Sequence, residues 1–148
     1  MSFLFLNKYI FIFYMQTVFD YIIEASCEHK IYGMGNTTIE EIEDFTRNVI
    51  EQILIENELE EVVSIIELYV HGSRINGNPR KDSDLDIVLY YKGNIKEDSL
   101  FNILHDDEYI DDLTYDGIYI DINPIRDSET GSLNEYIKHD KNYQKGES

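Results

Sequence analysis

The hydrophobic positions of this chain follow a helical spacing in one region and a strand spacing in another. Ile42, Phe45 and Val49 recur at intervals of three and four residues, which predicts an amphipathic helix. Thr37 and Thr38 each precede a glutamate by three residues, Glu40 and Glu41, a capping-box pattern that places the start of the helix at one of the two. The opposite face of this helix is strongly acidic, and we interpret it as a solvated surface.

In the second half of the chain the spacing of apolar residues changes to that of strands. Strands are predicted over residues 65–70, 84–91 and 118–123, and short helices over residues 96–104 and from Ser132 onward. Strands interleaved with helices predict an α/β fold in which helices pack around a small sheet.

Acidic side chains lie on the polar faces of two predicted strands. Asp84 and Asp86 are two residues apart, so they point the same way and lie ~7 Å apart along the strand. Asp121 lies on the polar face of the third strand. Carboxylates gathered in one place repel one another, and such a set is tolerated mainly when cations occupy it. Hard oxygen ligands suit Mg²⁺, and a pair of such ions can hold the oxygens of a phosphoryl displacement.

A Gly-Ser pair directly follows the first predicted strand. Gly72 allows the backbone to approach a ligand closely, and Ser73 can donate from its hydroxyl and its backbone N–H. If residues 73–77 open a helical turn, the free N–H groups of that turn point at an anion. Residues 64–91 carry three basic and four acidic side chains, so +3 and −4 leave only −1. This charge balance is the one expected around a nucleoside triphosphate with its metals.

At these residues the chain resembles the DNA polymerase β-like nucleotidyltransferase superfamily. The superfamily motif is Gly-Ser, a variable loop, Asp-x-Asp and a third carboxylate on a later strand. Gly72-Ser73, Asp84-x-Asp86 and Asp121 match it. Gly-Ser-Arg-x-x-Gly followed by Ser-Asp-x-Asp looks most like the minimal (MNT-type) nucleotidyltransferases. That branch includes antitoxins paired with HEPN-domain ribonucleases and is related to antibiotic nucleotidyltransferases.

The resemblance covers about residues 38–123 and implies a small mixed sheet with helices packed on one side. It implies that Asp84 and Asp86 are ligands of two Mg²⁺ ions. Asp121 would be a ligand of the catalytic ion and a nearby acceptor for the proton of the attacking hydroxyl. Positioning and charge neutralisation would supply most of the rate.

The resemblance also implies how a nucleotide is held and used. Gly72 and Ser73 would hold the β- and γ-phosphates, and Arg74 is a candidate for the same contact. The substrate would be ATP or another nucleoside triphosphate, and a nucleoside monophosphate would be transferred while pyrophosphate leaves. We favour AMP transfer to a hydroxyl of a partner protein, as in antitoxin-type AMPylation. The alternatives are a small-molecule, antibiotic-type nucleotidyltransferase and a catalytically inactive antitoxin or binding module.

Two other groups of residues receive a structural interpretation. His71, directly before Gly72, is interpreted as a packing or capping residue and not as a base. An acidic stretch is interpreted as an exposed loop and not as a metal cluster. Its members are Asp106, Asp107, Asp111 and Asp112.

Charge and composition limit the partners and the setting. The 148 residues carry 30 acidic and 12 basic side chains, and the net charge of −18 argues against a long nucleic acid as ligand. A basic partner such as a HEPN-type toxin fits the acidic helix faces, and a homo- or hetero-oligomer would supply the acceptor surface. The single cysteine, Cys27, excludes an internal disulfide and favours a reducing, cytoplasmic setting. We assign residues 1–34 to an extension, 35–140 to the nucleotidyltransferase domain and 141–148 to a polar tail.

The first residues are unusually aromatic, since five of the seven Phe lie within the first nineteen positions. We expect no membrane span, because Asn7, Lys8 and Asp20 interrupt the apolar run. Three interpretations stay open for this extension. The first two are a hydrophobic helix packed on the domain or a partner, and a poorly ordered segment. The third is an upstream start, with the working protein beginning nearer Met15 or Met34.

Overall fold

The computed structural model describes Lys8, residues 10–18 and residues 31–146, with side chains described as far as Lys141. Residues 10–18 form a helix, α1. Among the described residues, no helix combines the length and the apolar character that crossing a bilayer requires. Cys27, on which the expected reducing setting depends, lies outside the described residues.

The chain divides into two compact units, residues 1–30 and residues 31–148. The second unit therefore begins a few residues before the predicted boundary at position 34. The physical reason is that Ile31 and Met34 are buried in the hydrophobic core of this unit.

Helix α2, Ile39–Glu56, begins at the predicted capping box. The hydroxyl of Thr38 accepts a hydrogen bond from the Glu41 backbone N–H at 3.2 Å, and the Thr38 N–H donates to the Glu41 carboxylate at 3.0 Å. This reciprocal pair satisfies backbone donors that have no acceptor inside the helix. The buried side of α2 consists of Ile42, Thr46, Ile50, Ile53 and Leu54.

Among the described residues, four strands form one mixed sheet in the order β1-β2-β4-β3. The strands are β1 (Val63–His71), β2 (Leu85–Gly93), β3 (Thr114–Tyr115) and β4 (Ile118–Ile125). β1 is antiparallel to β2, β2 is parallel to β4, and β3 is antiparallel to β4. The prediction of an α/β fold built on a small mixed sheet is confirmed. β1 starts earlier than predicted. The register shifts between Ile65 and Glu67, and this irregularity interrupts the alternation of apolar and polar residues from which the strand start was predicted.

Three further helices and a short 3₁₀ turn complete the unit. They are α3 (Ser73–Asn76), α4 (Glu97–Leu104), the 3₁₀ turn (Asp107–Tyr109) and α5 (Leu133–Gly146). α5 begins at a second capping box, in which the Glu135 N–H donates to the Ser132 hydroxyl at 3.2 Å. Because α5 continues through Gly146, most of the predicted polar tail is helical.

The sheet has a large apolar face and a smaller one. Leu85, Ile87 and Leu89 of β2 belong to the main core, together with residues of α2 and α4. α2 and α4 therefore pack on one side of the sheet, as predicted, whereas α5 does not. α5 adds a second, smaller contact on the opposite face, where Leu133 is buried with Val88. The opposite face of β2 also carries the candidate carboxylates, so α5 shares that face with them.

Candidate functional site

Strand pairing places ionisable side chains from three strands side by side. His71 of β1 lies opposite Asp86 of β2, and Asp86 lies opposite Asp121 of β4. Side chains at paired positions of adjacent strands point to the same face of the sheet. Asp84 precedes β2 and lies two residues before Asp86, on an exposed part of the chain. Asp86 and Asp121 therefore share one face of the sheet, away from the main core, and Asp84 lies near enough for its charge to raise the pKa of Asp86.

Asp86 is the electrostatic centre of this group. Burial raises the pKa of the Asp86 carboxyl above its ordinary value, while the nearby His71 opposes this and lowers it. The charges of Asp121, Asp84 and Asp140 raise the pKa further. Excess negative charge at a half-buried position is the condition under which a bound cation is stabilising.

The Gly-Ser turn after β1 passes directly beside this carboxylate. Gly72 has φ 90° and ψ −165°, a combination that is essentially restricted to glycine. A Cβ atom at Gly72 would lie 3.3 Å from Cγ of Asp86 and would collide with its Oδ2. The Gly72 carbonyl accepts from the N–H groups of Ile75 and Asn76 at 3.1 and 3.0 Å, which starts α3. The predicted helical turn after the Gly-Ser pair therefore forms, and it begins next to Asp86.

The sequence profile of the family described as "Polymerase beta, Nucleotidyltransferase" matches residues 39–142. The chain belongs to this family. No curated protein and no solved structure matches the chain significantly. The resemblance inferred from the Gly-Ser and Asp-x-Asp residues is thereby confirmed at the level of the nucleotidyltransferase superfamily.

In this nucleotidyltransferase domain Arg74 is buried, with 3% of its surface exposed. Its Nε and Nη2 donate to the Ser83 carbonyl at 2.9 and 2.6 Å, and its Nη1 donates to the Tyr32 carbonyl at 2.9 Å. These bonds tie α3 to the segment at residue 32 and to the loop that carries Asp84. A phosphate contact from Arg74 stays a prediction, and the contacts of its guanidinium are with backbone carbonyls.

Replacing Arg74 with methionine should destabilise the domain by about 2–4 kcal/mol, because the carbonyls of Tyr32 and Ser83 lose the charged donor that is buried between them and the rest of α3. The free energy of unfolding in urea measures this loss. Arg80→Met is the matched control, since Arg80 is exposed, and it should stay within about 0.5 kcal/mol of the parent. Equal effects of the two substitutions would contradict the role of Arg74 as a structural tie.

His105, which was not predicted from the sequence, contacts Asp121, the third candidate carboxylate. It caps the C-terminus of α4, and its Nε2 lies 2.7 Å from Oδ1 of Asp121. Its Nδ1 lies 2.8 Å from the Phe101 carbonyl, and its ring stacks on that of Phe101 at 3.7 Å between centroids. The only local signal was a histidine directly after a predicted helix, and this does not reveal a partner sixteen residues away.

His71 and Asp140 form a second part of the site. Their proximity was not predicted from the sequence. The His71 ring stacks on Tyr69 and meets Tyr136 edge-on, so the interpretation of His71 as a packed residue agrees with its surroundings. Its Nδ1 also lies 3.9 Å from Oδ2 of Asp140 on α5. α5 thus brings a further carboxylate to the edge of the site.

The chemistry and placement of the carboxylates fit a divalent cation. Carboxylates offer oxygen ligands, and Asp86 and Asp121 occupy paired positions on adjacent strands. The negative charge of Asp121 raises the pKa of Asp86, so a cation between them would relieve the repulsion. Among the residues that the structure describes, no three His, Cys, Asp or Glu side chains already surround one point as metal ligands would. Binding Mg²⁺ would therefore require the carboxylates to close around the ion. The acidic stretch at 106–112 is exposed at each of its four Asp residues, as interpreted.

Proposed function

We propose that this chain is a Mg²⁺-dependent nucleotidyltransferase that transfers a nucleoside monophosphate to a hydroxyl of a partner protein. AMP from ATP is the transfer that we favour. The observation that carries the proposal is the pairing of Asp86 with Asp121 beside the Gly72 turn. A strand-end turn with donors for phosphate thus stands next to oxygen ligands for the metals that accompany a triphosphate.

Each carboxylate has its own role in this proposal. Asp84 and Asp86 would hold both Mg²⁺ ions, and Asp121 would hold the catalytic one. When bound, the ions would neutralise negative charge on the phosphates. Gly72 and Ser73 would hold the β- and γ-phosphates through backbone N–H groups and the Ser73 hydroxyl.

The proposed step is an in-line displacement at the α-phosphorus of ATP. The acceptor hydroxyl oxygen forms a bond to the α-phosphorus, and the bond from this phosphorus to the oxygen bridging to the β-phosphate breaks. Pyrophosphate leaves with that electron pair. The hydroxyl proton moves to a nearby carboxylate oxygen, for which we propose Asp121. The chain's own residues act mainly by positioning and by stabilising charge.

A basic protein is the acceptor that fits this surface best. The net charge is −18, and acidic side chains are exposed along α2 and the loop after it. They include Asp44, Glu51, Glu56, Glu58, Glu60 and Glu61. A surface of this kind attracts basic partners and repels nucleic acid. A HEPN-type toxin is the specific partner that we propose.

A transfer assay tests this function. Purified protein is incubated with α-labelled ATP, Mg²⁺ and a candidate HEPN-type protein. We expect label on the partner protein, and EDTA should abolish the transfer. GTP, CTP and UTP, and aminoglycosides as small acceptors, are the parallel reactions. The double substitution Asp111→Asn with Asp112→Asn, in the exposed loop, should transfer like wild type. Label on the aminoglycoside instead of the protein would favour the small-molecule alternative, and the absence of transfer in every reaction would contradict the enzymatic proposal.

A catalytically inactive binding module is the second candidate function. It is favoured by the contact of Asp121 with His105, which engages one carboxylate oxygen of the proposed metal site. Asp121→Asn separates the two functions. If the chain is an enzyme, the Asp121→Asn variant should lose nucleotidyl transfer and still bind the partner. If it is a binding module, the variant should neutralise the partner as well as the parent does. Transfer of label and neutralisation of the partner are measured on the same purified complex.

A further inference from the structure

We propose that His105 is a positioning residue that orients the Asp121 carboxylate for metal binding. This inference rests on the proposed function and adds to it a residue that the Gly-Ser and Asp-x-Asp motif does not contain. His105 lies at the C-terminal cap of α4, whereas Asp121 lies within β4. The contact therefore joins the helix layer to the strand that carries the third carboxylate.

The His105 ring is held on three sides. Nδ1 faces the Phe101 carbonyl at 2.8 Å, Nε2 faces Oδ1 of Asp121 at 2.7 Å, and the ring stacks on Phe101 with an angle of 19° between the planes. A carboxylate oxygen can only accept, so Nε2 is the donor in the bond to Asp121. The ring is thus a fixed donor and not a rotating one.

The Asp121 carboxylate would be free to turn without such a partner. The side chain of Asp121 is 43% exposed, whereas that of His105 is 21% exposed. The negative charge of Asp86 beside it would favour turning the Asp121 carboxylate outward to solvent. A hydrogen bond to Oδ1 opposes this rotation and leaves Oδ2 for a metal. Groups that hold a metal ligand in this way commonly determine its orientation and its affinity.

Three variants separate orientation of Asp121 from capping of α4. His105→Phe keeps a ring that can stack on Phe101 but removes both ring nitrogens, including the Nε2 that faces Asp121. His105→Gln restores a donor toward Asp121 without an imidazole ring. His139→Phe, at an exposed position of α5, is the matched control for the exchange of His by Phe. Circular dichroism of each full-length variant establishes that it is folded.

The main readout is direct binding of Mn²⁺, followed by electron paramagnetic resonance. The full chain is titrated in the presence of α,β-methylene-ATP, whose α–β linkage cannot be cleaved. We expect His105→Phe to weaken Mn²⁺ binding about tenfold or more, since loss of a group that orients a metal ligand typically costs about 10–100-fold. His105→Gln should recover most of this loss, and His139→Phe should match wild type. In the transfer assay, His105→Phe should lower kcat while KM for ATP stays nearly unchanged.

The possible results distinguish this inference from the proposed function. Equal Mn²⁺ affinities for wild type and His105→Phe, with binding still lost in Asp86→Asn, would overturn the role of His105 alone. Tighter binding by His105→Phe would also overturn it, because His105 would then be holding Asp121 away from the metal. A wild-type chain that binds no Mn²⁺ would overturn the proposed function, and the role of His105 with it.

Discussion

Replacing Asp86 with asparagine should lower nucleotidyl transfer by about 10³-fold or more, because each group that stabilises developing charge in a transition state contributes about 10²–10³-fold. Asp86 is the central carboxylate of the site, paired with His71 on one side and with Asp121 on the other. Asparagine keeps the shape of the side chain but removes the negative charge that would bind Mg²⁺. Single-turnover transfer from labelled ATP at saturating Mg²⁺ measures the loss.

The same substitution should not destabilise the metal-free domain. Burial, opposed by His71, raises the pKa of the Asp86 carboxyl, and the charges of Asp121 and Asp84 raise it further. A raised pKa in the folded state means that the stabilising contribution is fully present below the unfolded-state pKa. It is lost as the pH rises through the folded-state pKa. At neutral pH the Asp86 carboxylate therefore opposes folding, and asparagine removes that opposition.

Melting temperatures from pH 4 to 7 in EDTA measure this effect. The parent should lose more stability than Asp86→Asn as the pH rises across this range. Asp82→Asn is the control, since Asp82 is an exposed loop residue, and its pH profile should follow that of the parent. A lower melting temperature for Asp86→Asn at pH 7 would show that the Asp86 charge is already compensated within the protein and would contradict the proposed cation site.

Replacing Gly72 with alanine should both destabilise the domain and remove activity. The backbone at Gly72 has φ 90° and ψ −165°, a region that costs a residue with a side chain about 1–3 kcal/mol. The added methyl group would also collide with the Asp86 carboxylate. Strain and collision together should lower the free energy of unfolding by about 2–5 kcal/mol. Displacement of Asp86 should lower transfer about 10²-fold or more, since misplacement by about 1 Å can have an effect of that size.

Gly117→Ala is the matched control for Gly72→Ala. Gly117 has φ 78°, and nothing lies within 4 Å of a Cβ built there. It therefore reports the backbone strain without the collision, and should cost about 1–2 kcal/mol with little change in transfer. Urea unfolding and the transfer assay are applied to both variants. If Gly72→Ala retained transfer at the level of Gly117→Ala, the close approach of the turn to Asp86 would have no catalytic role.

Much of the carboxylate face was predictable because strand alternation is a local property. Leu85 and Ile87 alternate with Asp84 and Asp86, and the structure places the apolar pair in the core, Asp86 on the other face and Asp84 in the exposed segment just before the strand. The helix start at Thr38 was predictable for a similar reason, since a capping box lies within four consecutive residues. The Gly-Ser turn belongs to the same class, because its conformation depends on Gly72 itself.

The contacts that complete the site were not predictable from local patterns. His105 reaches Asp121 because α4 ends beside β4, and Asp140 approaches His71 because α5 packs on the carboxylate face. Arg74 looked like a phosphate ligand because it follows Gly-Ser. In the folded chain its guanidinium binds the carbonyls of Ser83 and Tyr32, of which the second is 42 residues away, and the phosphate contact stays a prediction.

The sequence by itself determined which segments become strands, which face of each strand is polar and which chemistry that face can carry. These properties depend on neighbouring residues, on backbone preferences and on the side chains themselves. Only the tertiary structure decided that Asp86 would stand between His71 and Asp121, that a histidine would hold the third carboxylate, and that α5 would cover part of the same face. Strand order and helix packing decide these contacts, because they join residues that are distant along the chain and leave no periodic signal in it.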